Sequence, residues 1–249
     1  MKKIIAVFIS AVFLCQSVFA MNVFESRGRV IVLMYHMLSE NSKIWGDFCI
    51  SPKVFENDIE YLKKNGYEFL TPSQLAAENT KNRKIAVITF DDGYLSDYQY
   101  ALPILKKHSA KAAFFVIGSQ IGKPGYMTED NIKEMAQSGY AEIGNHSYAL
   151  HNLTASALIM LFRGGKSNAE IVKDYQKNAE LLKKITGSDI TALSYPNGIF
   201  SDNVDKALRK GGVKTTFSTK PYSYAQINVS APIGRKTRTS ASKLTNLMK

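Results

Sequence analysis

Cysteine is scarce: the 249 residues hold two, Cys15 and Cys49. Only Cys49 lies beyond the opening apolar stretch, and a lone thiol closes no internal disulfide even in an oxidising compartment, so a disulfide scaffold is excluded. Cys49 is expected to be buried and inert. Histidine is equally sparse, with four in the chain and none after His151, so any cluster of them carries information. No repeat, low-complexity tract or domain linker interrupts the sequence, and after Leu14 no apolar run is long enough to cross a bilayer. What remains, at 45% hydrophobic and 21% charged residues, suits a globular protein with one substantial core, so one domain is expected.

The first residues read as an address. Lys2 and Lys3 precede the apolar run Ile4 to Leu14, and Val18-Phe19-Ala20 offers a cleavage site, the pattern of a secretory signal peptide. Residues 1–20 are therefore expected to be a signal peptide and 21–249 the mature domain, exported to the periplasm or secreted. Removing the two leader lysines takes the formal charge from +11 to +9. A basic surface favours anionic company such as acidic glycans or lipid head groups, and leaves room for peripheral association with an envelope surface. Nucleic acid is not expected, because the lysines are spread along helical segments and no nucleic-acid-binding motif appears. No obligate protein partner is indicated.

Short β-rich runs alternate with longer amphipathic segments, which predicts a parallel sheet or barrel clothed by helices. The predicted strands are 30–35, 85–90, 112–117, 141–144, 191–195, 214–217 and 231–235; the predicted helices are 52–65, 96–108, 129–138, 168–186, 201–210 and 241–248. Seven strands suit an α/β barrel with one unit fewer than the eightfold form, with an open doubly wound sheet as the other architecture. Residues 152–166 lack clear periodicity and read as a surface excursion.

In parallel β/α architectures reactive groups collect at the carboxyl ends of strands. The second predicted strand runs through Phe90 into Asp91-Asp92-Gly93-Tyr94, two adjacent carboxylates that project differently, so that one can bind a cation while the other faces substrate. The fourth runs into Asn145-His146-Ser147-Tyr148-Ala149-Leu150-His151, placing two of the four histidines within six residues. Two imidazoles and a carboxylate make a three-ligand, partly open metal site of the catalytic kind. The fifth ends Ser194-Tyr195-Pro196-Asn197-Gly198, and the first ends Met34-Tyr35-His36, on the same face. His108, beside Lys106 and Lys107 at a helix end, reads as a partner for the helix dipole.

These motifs, in this order, resemble the polysaccharide deacetylase family, carbohydrate esterase family four or the NodB homology domain. Thr89-Phe90-Asp91-Asp92-Gly93-Tyr94 matches its first motif, His146-Ser147 with His151 its metal-histidine motif, and Tyr195-Pro196-Asn197-Gly198 approximates its third. The resemblance implies a distorted (β/α)7 barrel, a divalent metal, usually zinc with cobalt, nickel or iron(II) as alternatives, on Asp92, His146 and His151, and Asp91 as general base. It places Asn197, through its backbone N–H, and Tyr195 at the substrate and oxyanion. Two departures stand out. Many members supply the general acid from a late Leu-x-His, absent here, whereas Tyr35-His36 resembles the version in poly-N-acetylglucosamine deacetylases, making His36 the candidate acid. Many also place at Ser194 an arginine that orients the catalytic aspartate. The function implied is removal of N-acetyl groups from an extracytoplasmic N-acetylhexosamine glycan, poly-N-acetylglucosamine leading over peptidoglycan or lipopolysaccharide sugars. A catalytically silent, glycan-binding member is the alternative that the two departures raise.

Overall fold

The computed structural model describes residues 29–164, 168–219 and 229–248; the expected signal peptide lies outside them. Among these residues no helix is long and apolar enough to cross a membrane.

A parallel sheet forms the centre. Strand β1 (Arg29–Tyr35) is followed by short β2 (Met37–Leu38) and β3 (Cys49–Ile50), then β4 (Glu68–Phe69), β5 (Lys84–Phe90), β6 (Ala112–Val116), β7 (Ala141–Asn145), β8 (Ala192–Ser194), β9 (Thr215–Ser218), β10 (Ile233–Gly234) and β11 (Lys236–Thr237). The spatial order is β10-β9-β8-β7-β6-β5-β1-β11, with β4 also on β5 and β2 paired with β3 apart. Consecutive β10 and β11 lie at opposite ends of that order. Ile233 and Gly234 pair with Phe217 and Ser218, while Lys236 and Thr237 pair with Leu33 and Met34. One short segment thus bridges β9 and β1 and closes seven strand positions into a barrel, with Arg235 at the seam. The expected barrel is the observed architecture, and the open doubly wound sheet is not.

Strand parity decides what faces inward. Ile85 and Val87 pack with Val30, Val32, Ala113, Phe115, Ala192, Phe217 and Ile233 in the interior. Ala86, Ile88 and Phe90 instead join Ile31, Leu33, Phe55, Ile59 and Leu62 between sheet and helices. Burial on both sides explains why these strands are unbroken apolar runs. Continuing the inward series past β5 leads through Thr89 to Asp91, and past β7 through Glu142 and Gly144 to His146. A Cβ on Gly144 would lie 2.4 Å from the Phe115 ring, so a residue without one is required there for the interior to fill.

The clothing helices are α1 (Pro52–Lys64), α2 (Pro72–Ala77), α3 (Leu102–His108), α4 (Glu129–Gln137), α5 (Ala155–Arg163), α6 (Asn168–Thr186), α7 (Asp202–Lys210) and α8 (Leu244–Leu247). In α1 the Ser51 side chain caps Val54 N–H, Pro52 occupies the first turn, and Phe55, Ile59 and Leu62 form the buried stripe. The single helix predicted over 96–108 is divided. Pro103 has no N–H to return to Gln99, and the preceding residues Asp97–Ala101 adopt a π turn before α3 begins. The predicted excursion at 152–166 is largely α5, capped by Thr154; its Ala-Leu-Ile-Met-Leu-Phe composition is apolar all round and leaves no periodic contrast to read. The predicted C-terminal helix contracts to α8.

Candidate active site

The carboxyl ends of the strands bring Asp91, Asp92, His146, His151 and His36 together. Asp91 is 3% exposed, its N–H donating to Tyr35 O across β1 (3.1 Å). A bidentate fork grips its carboxylate: Arg235 Nη1 donates to Oδ1 at 2.7 Å and Nη2 to Oδ2 at 2.6 Å. The Ser194 hydroxyl lies 3.2 Å from Oδ2 and itself accepts from Arg235 Nη2 at 2.8 Å. Arg235 also donates to Thr89 Oγ1 and Ser218 O, so its guanidinium is fully partnered although the residue is 1% exposed. Burial disfavours charge on Asp91, but the guanidinium, with His146 and His36, outweighs it and holds the carboxyl well below the usual carboxylate range.

Sequence reading missed Arg235. The arginine absent at Ser194 arrives instead from the seam where the barrel closes. The available signal was a basic residue ending the strand-like Ala231-Pro232-Ile233-Gly234 run, on the same parity as inward Ile233.

Asp92, at φ +78°, turns its carboxylate away from that fork. Its Oδ1 lies 3.4 Å from His146 Nε2 and 3.2 Å from His151 Nε2, yet is buried without a hydrogen-bond partner. The three ligand atoms fall within 4.8 Å of one another. A buried carboxylate oxygen and two imidazole nitrogens that converge without hydrogen-bonding one another fit a divalent cation of the zinc type. His146 Nδ1 sits 2.9 Å from Ser194 O, an arrangement that puts the proton on Nδ1 and leaves the Nε2 lone pair free. The Asp92 carboxyl is also held low: burial opposes its charge and His146 and its neighbours overcome that.

Outer contacts fix the histidine loop. Asn145 Oδ1 accepts from Ser147 N–H and from the Asn178 amide, which also donates to Val116 O. Asp174 of α6 accepts the N–H groups of Tyr148 and Ala149 at 2.7 and 3.0 Å. Of five non-glycine residues with positive φ among the described residues, three are here: Asp92, Ser147 and Asn197. Strained backbone concentrates where surrounding contacts over-determine a site.

His36, between β1 and β2, feels the charges of Asp91, Asp92, Arg235 and His146; burial lowers its pKa, with the two aspartates opposing. Its Nδ1 is buried without a partner. Asn197 occupies a tight turn at φ +54° after β8. Tyr195 departs from expectation. Its ring is fully buried against Tyr175 and Phe200, and its hydroxyl donates to Asp205 at 2.8 Å, so parity sends the side chain outward and it cannot meet substrate. His108 does more than face a helix dipole, sitting 3.0 Å from Glu56 Oε1. Glu56, Glu60 and His108 also come close enough for a metal, but Glu56 is already neutralised by Lys107 and Lys53 on the outer surface.

A closed parallel barrel with a guanidinium-held aspartate beside an Asp-His-His cluster at its strand ends has the layout of a hydrolase. Comparison with known proteins makes the class specific. Residues 78–216 match the polysaccharide deacetylase family. The protein YxkH of Bacillus subtilis (strain 168) is 31% identical over 201 residues, covering 79% of this chain and 67% of that one. The poly-beta-1,6-N-acetyl-D-glucosamine N-deacetylase of Staphylococcus aureus (strain MSSA476) is 30% identical over 186 residues, 72% of this chain and 63% of that one. The structure of IcaB from Ammonifex degensii superposes with a TM-score of 0.72 at 30% identity, covering 86% of this chain and 93% of that one. The chain belongs to the polysaccharide deacetylase family. It spans about two thirds of the length of these two curated relatives.

Proposed function

We propose that this chain, as one exported domain over 21–249, hydrolyses the acetamide of an extracytoplasmic N-acetylhexosamine glycan, with a poly-N-acetylglucosamine as the leading substrate. The observation that carries the reading is the buried Asp91, held ionised by the Arg235 fork within reach of the Asp92, His146 and His151 cluster.

Asp91 is the general base. It takes a proton from the attacking water as the water oxygen bonds to the acetyl carbon, and the Arg235 fork keeps the accepting oxygen aimed while it does so. Asp92, His146 and His151 would hold the divalent ion, zinc by donor chemistry; when bound it polarises the acetamide carbonyl and makes water easier to deprotonate. Asn197 offers its backbone N–H to the developing oxyanion from the turn after β8. The C–N bond then breaks and the nitrogen must leave protonated. His36 gives that proton, being the histidine of the site that is not turned toward Asp92 Oδ1; burial lowers its pKa, with the carboxylates of Asp91 and Asp92 opposing. The products are acetate and a free hexosamine amine. The poly-N-acetylglucosamine preference rests on the Tyr35-His36 motif and on likeness to the staphylococcal enzyme. Arg235 removes one reason for reading the chain as a silent binding module.

Acetate release from a panel of acetylated glycans by zinc-loaded protein, with Asp91→Asn alongside, tests the reading. Release that vanishes in the variant supports it. Silence from wild-type protein that demonstrably binds metal and glycan overturns it in favour of the binding module.

A further inference from the structure

Leu38 closes the short strand β2, which begins one residue after His36. Successive N–H groups of an extended segment point to opposite sides. Met37 and Ser39 therefore donate toward β3, at Phe48 O (2.9 Å) and Ile50 O (3.0 Å), and the N–H of buried Leu38 faces away from that partner strand. A buried amide without an acceptor is rare because it is costly. Here the acceptor is the Ser96 hydroxyl, at 3.1 Å.

Ser96 belongs to the turn that follows the two aspartates. The segment from Asp91 to Asp97 carries the general base and Asp92 at one end, and its other end touches the strand that starts beside His36. That segment is a firm reference: Met127 N–H donates to Gly93 O at 3.1 Å, Leu95 N–H to Gly125 O at 2.9 Å, and Asp97 N–H to Tyr94 O at 3.0 Å. Asp97 backs the contact to β2. The Ser96 hydroxyl donates to its Oδ1 at 3.5 Å, and Asp97 is fully buried. It also opens the π turn Asp97–Ala101, a distortion that recurs at functional sites. Its Oδ2 is buried with no hydrogen-bond partner, and no step of the hydrolysis uses it.

Resting on His36 as the acid of the deacetylase reading, we propose that Ser96 and Asp97 are positioning residues that hold the segment from His36 to Leu38 at a fixed place relative to Asp91. Base and acid serve the same tetrahedral intermediate, one at the water and one at the nitrogen, so their relative placement enters the barrier. Asp97 does this as a neutral carboxylic acid. Burial pushes its carboxyl well above the usual carboxylate range, the charge of Asp92 adds to this, and the Ser96 hydroxyl only partly opposes it. An ionised Asp97 would be a stranded charge close to two others. The uncharged group keeps an oxygen available to the Ser96 hydroxyl without that penalty.

Leaving-group chemistry separates this role from a general loss of structure. The nitrogen of an acetamide must be protonated to leave, whereas an activated aryl acetate expels its phenolate without an acid. Ser96→Ala and Asp97→Ala should each lower kcat toward an N-acetylglucosamine pentamer about tenfold, since small misplacements within a site carry losses of that order or more, with KM little changed. Aryl acetate hydrolysis by the same variants should fall far less. Asp97→Asn, the uncharged isostere, should recover most of the kcat that alanine loses. Amide hydrogen exchange at Leu38 gives a reading free of turnover: its protection should drop in Ser96→Ala and Asp97→Ala and return in Asp97→Asn. Equal losses toward pentamer and aryl acetate would overturn the proposal. So would Leu38 protection that survives Ser96→Ala, or an asparagine variant as poor as the alanine one. Failure of the deacetylase reading looks different: zinc-loaded wild-type protein would release no acetate while Leu38 kept its Ser96-dependent protection.

Discussion

Replacing Arg235 with alanine removes the group on which the charge of Asp91 depends. Asp91 is buried, and its two oxygens accept from Arg235 at 2.7 and 2.6 Å. Breaking a buried ion pair from one side costs about 3–5 kcal/mol because the remaining charge is stranded. In a domain of this size each kcal/mol lowers Tm by roughly 2–4 °C, so a drop on the order of 10 °C is expected with the fold retained at room temperature. The effect on turnover should be larger in kind. A general base that loses its aim and its charge forfeits a contribution of about 10²–10⁴, so kcat should fall about a hundredfold or more while KM changes little, since Arg235 lies beneath Asp91 and touches no substrate. Arg235→Lys restores the charge but not the planar two-point fork and should recover only part of kcat. Calorimetry with acetate-release kinetics on the three proteins decides the matter. An alanine variant with kcat within about threefold of wild type, or a loss of kcat that simply follows the unfolded fraction, would refute the reasoning.

Three further outcomes follow. Chelation should lower Tm, since an ion at a hundred times its Kd stabilises by about 2.7 kcal/mol, and His151→Ala should abolish that difference; melting curves with and without chelator would show an unchanged Tm if the cluster holds no ion. Asp58→Ala strands the buried Arg238 guanidinium and frees the Tyr35 hydroxyl, so it should cost about 3–5 kcal/mol by urea unfolding; a cost under about 1 kcal/mol would contradict the burial argument. Hydrogen bonds from Lys107, then His108, hold the Glu56 carboxyl down at about 2, below its ordinary 4.5. Because the folded-state value is depressed, the stabilisation is complete above the unfolded value and is lost as pH falls from about 4.5 toward 2. The Tm gap between wild type and Glu56→Gln should therefore be present near neutral pH and close across that interval; a gap independent of pH would count against the ion pairs.

Much of this protein was legible along the chain. The apolar runs of β1, β5 and β6 are readable because strands buried on both sides need no polar alternation, and α1 because its cap, proline and stripe agree. Asp91, Asp92, His146 and His151 are readable because strand ends in parallel barrels are where polar residues of this kind converge. Residues 155–163 concealed their helix because an apolar face cannot be seen against an apolar background. The turn before α3 depended on a proline whose effect is felt several residues earlier.

Local sequence determined which residues end the strands, which caps start the helices and which side chains alternate inward. It could not determine what meets across the barrel. Ser194 looks like a missing arginine only while position along the chain stands in for position in space. The guanidinium that holds Asp91 comes from 144 residues away, delivered because β10 and β11 close the barrel on opposite neighbours. Likewise, nothing local turns Tyr195 outward while Ser194 faces Asp91; strand parity does so once the direction of the interior is set. Charge pairing in a buried site is a property of the closed fold, because only closure removes the water that would otherwise solvate each group alone.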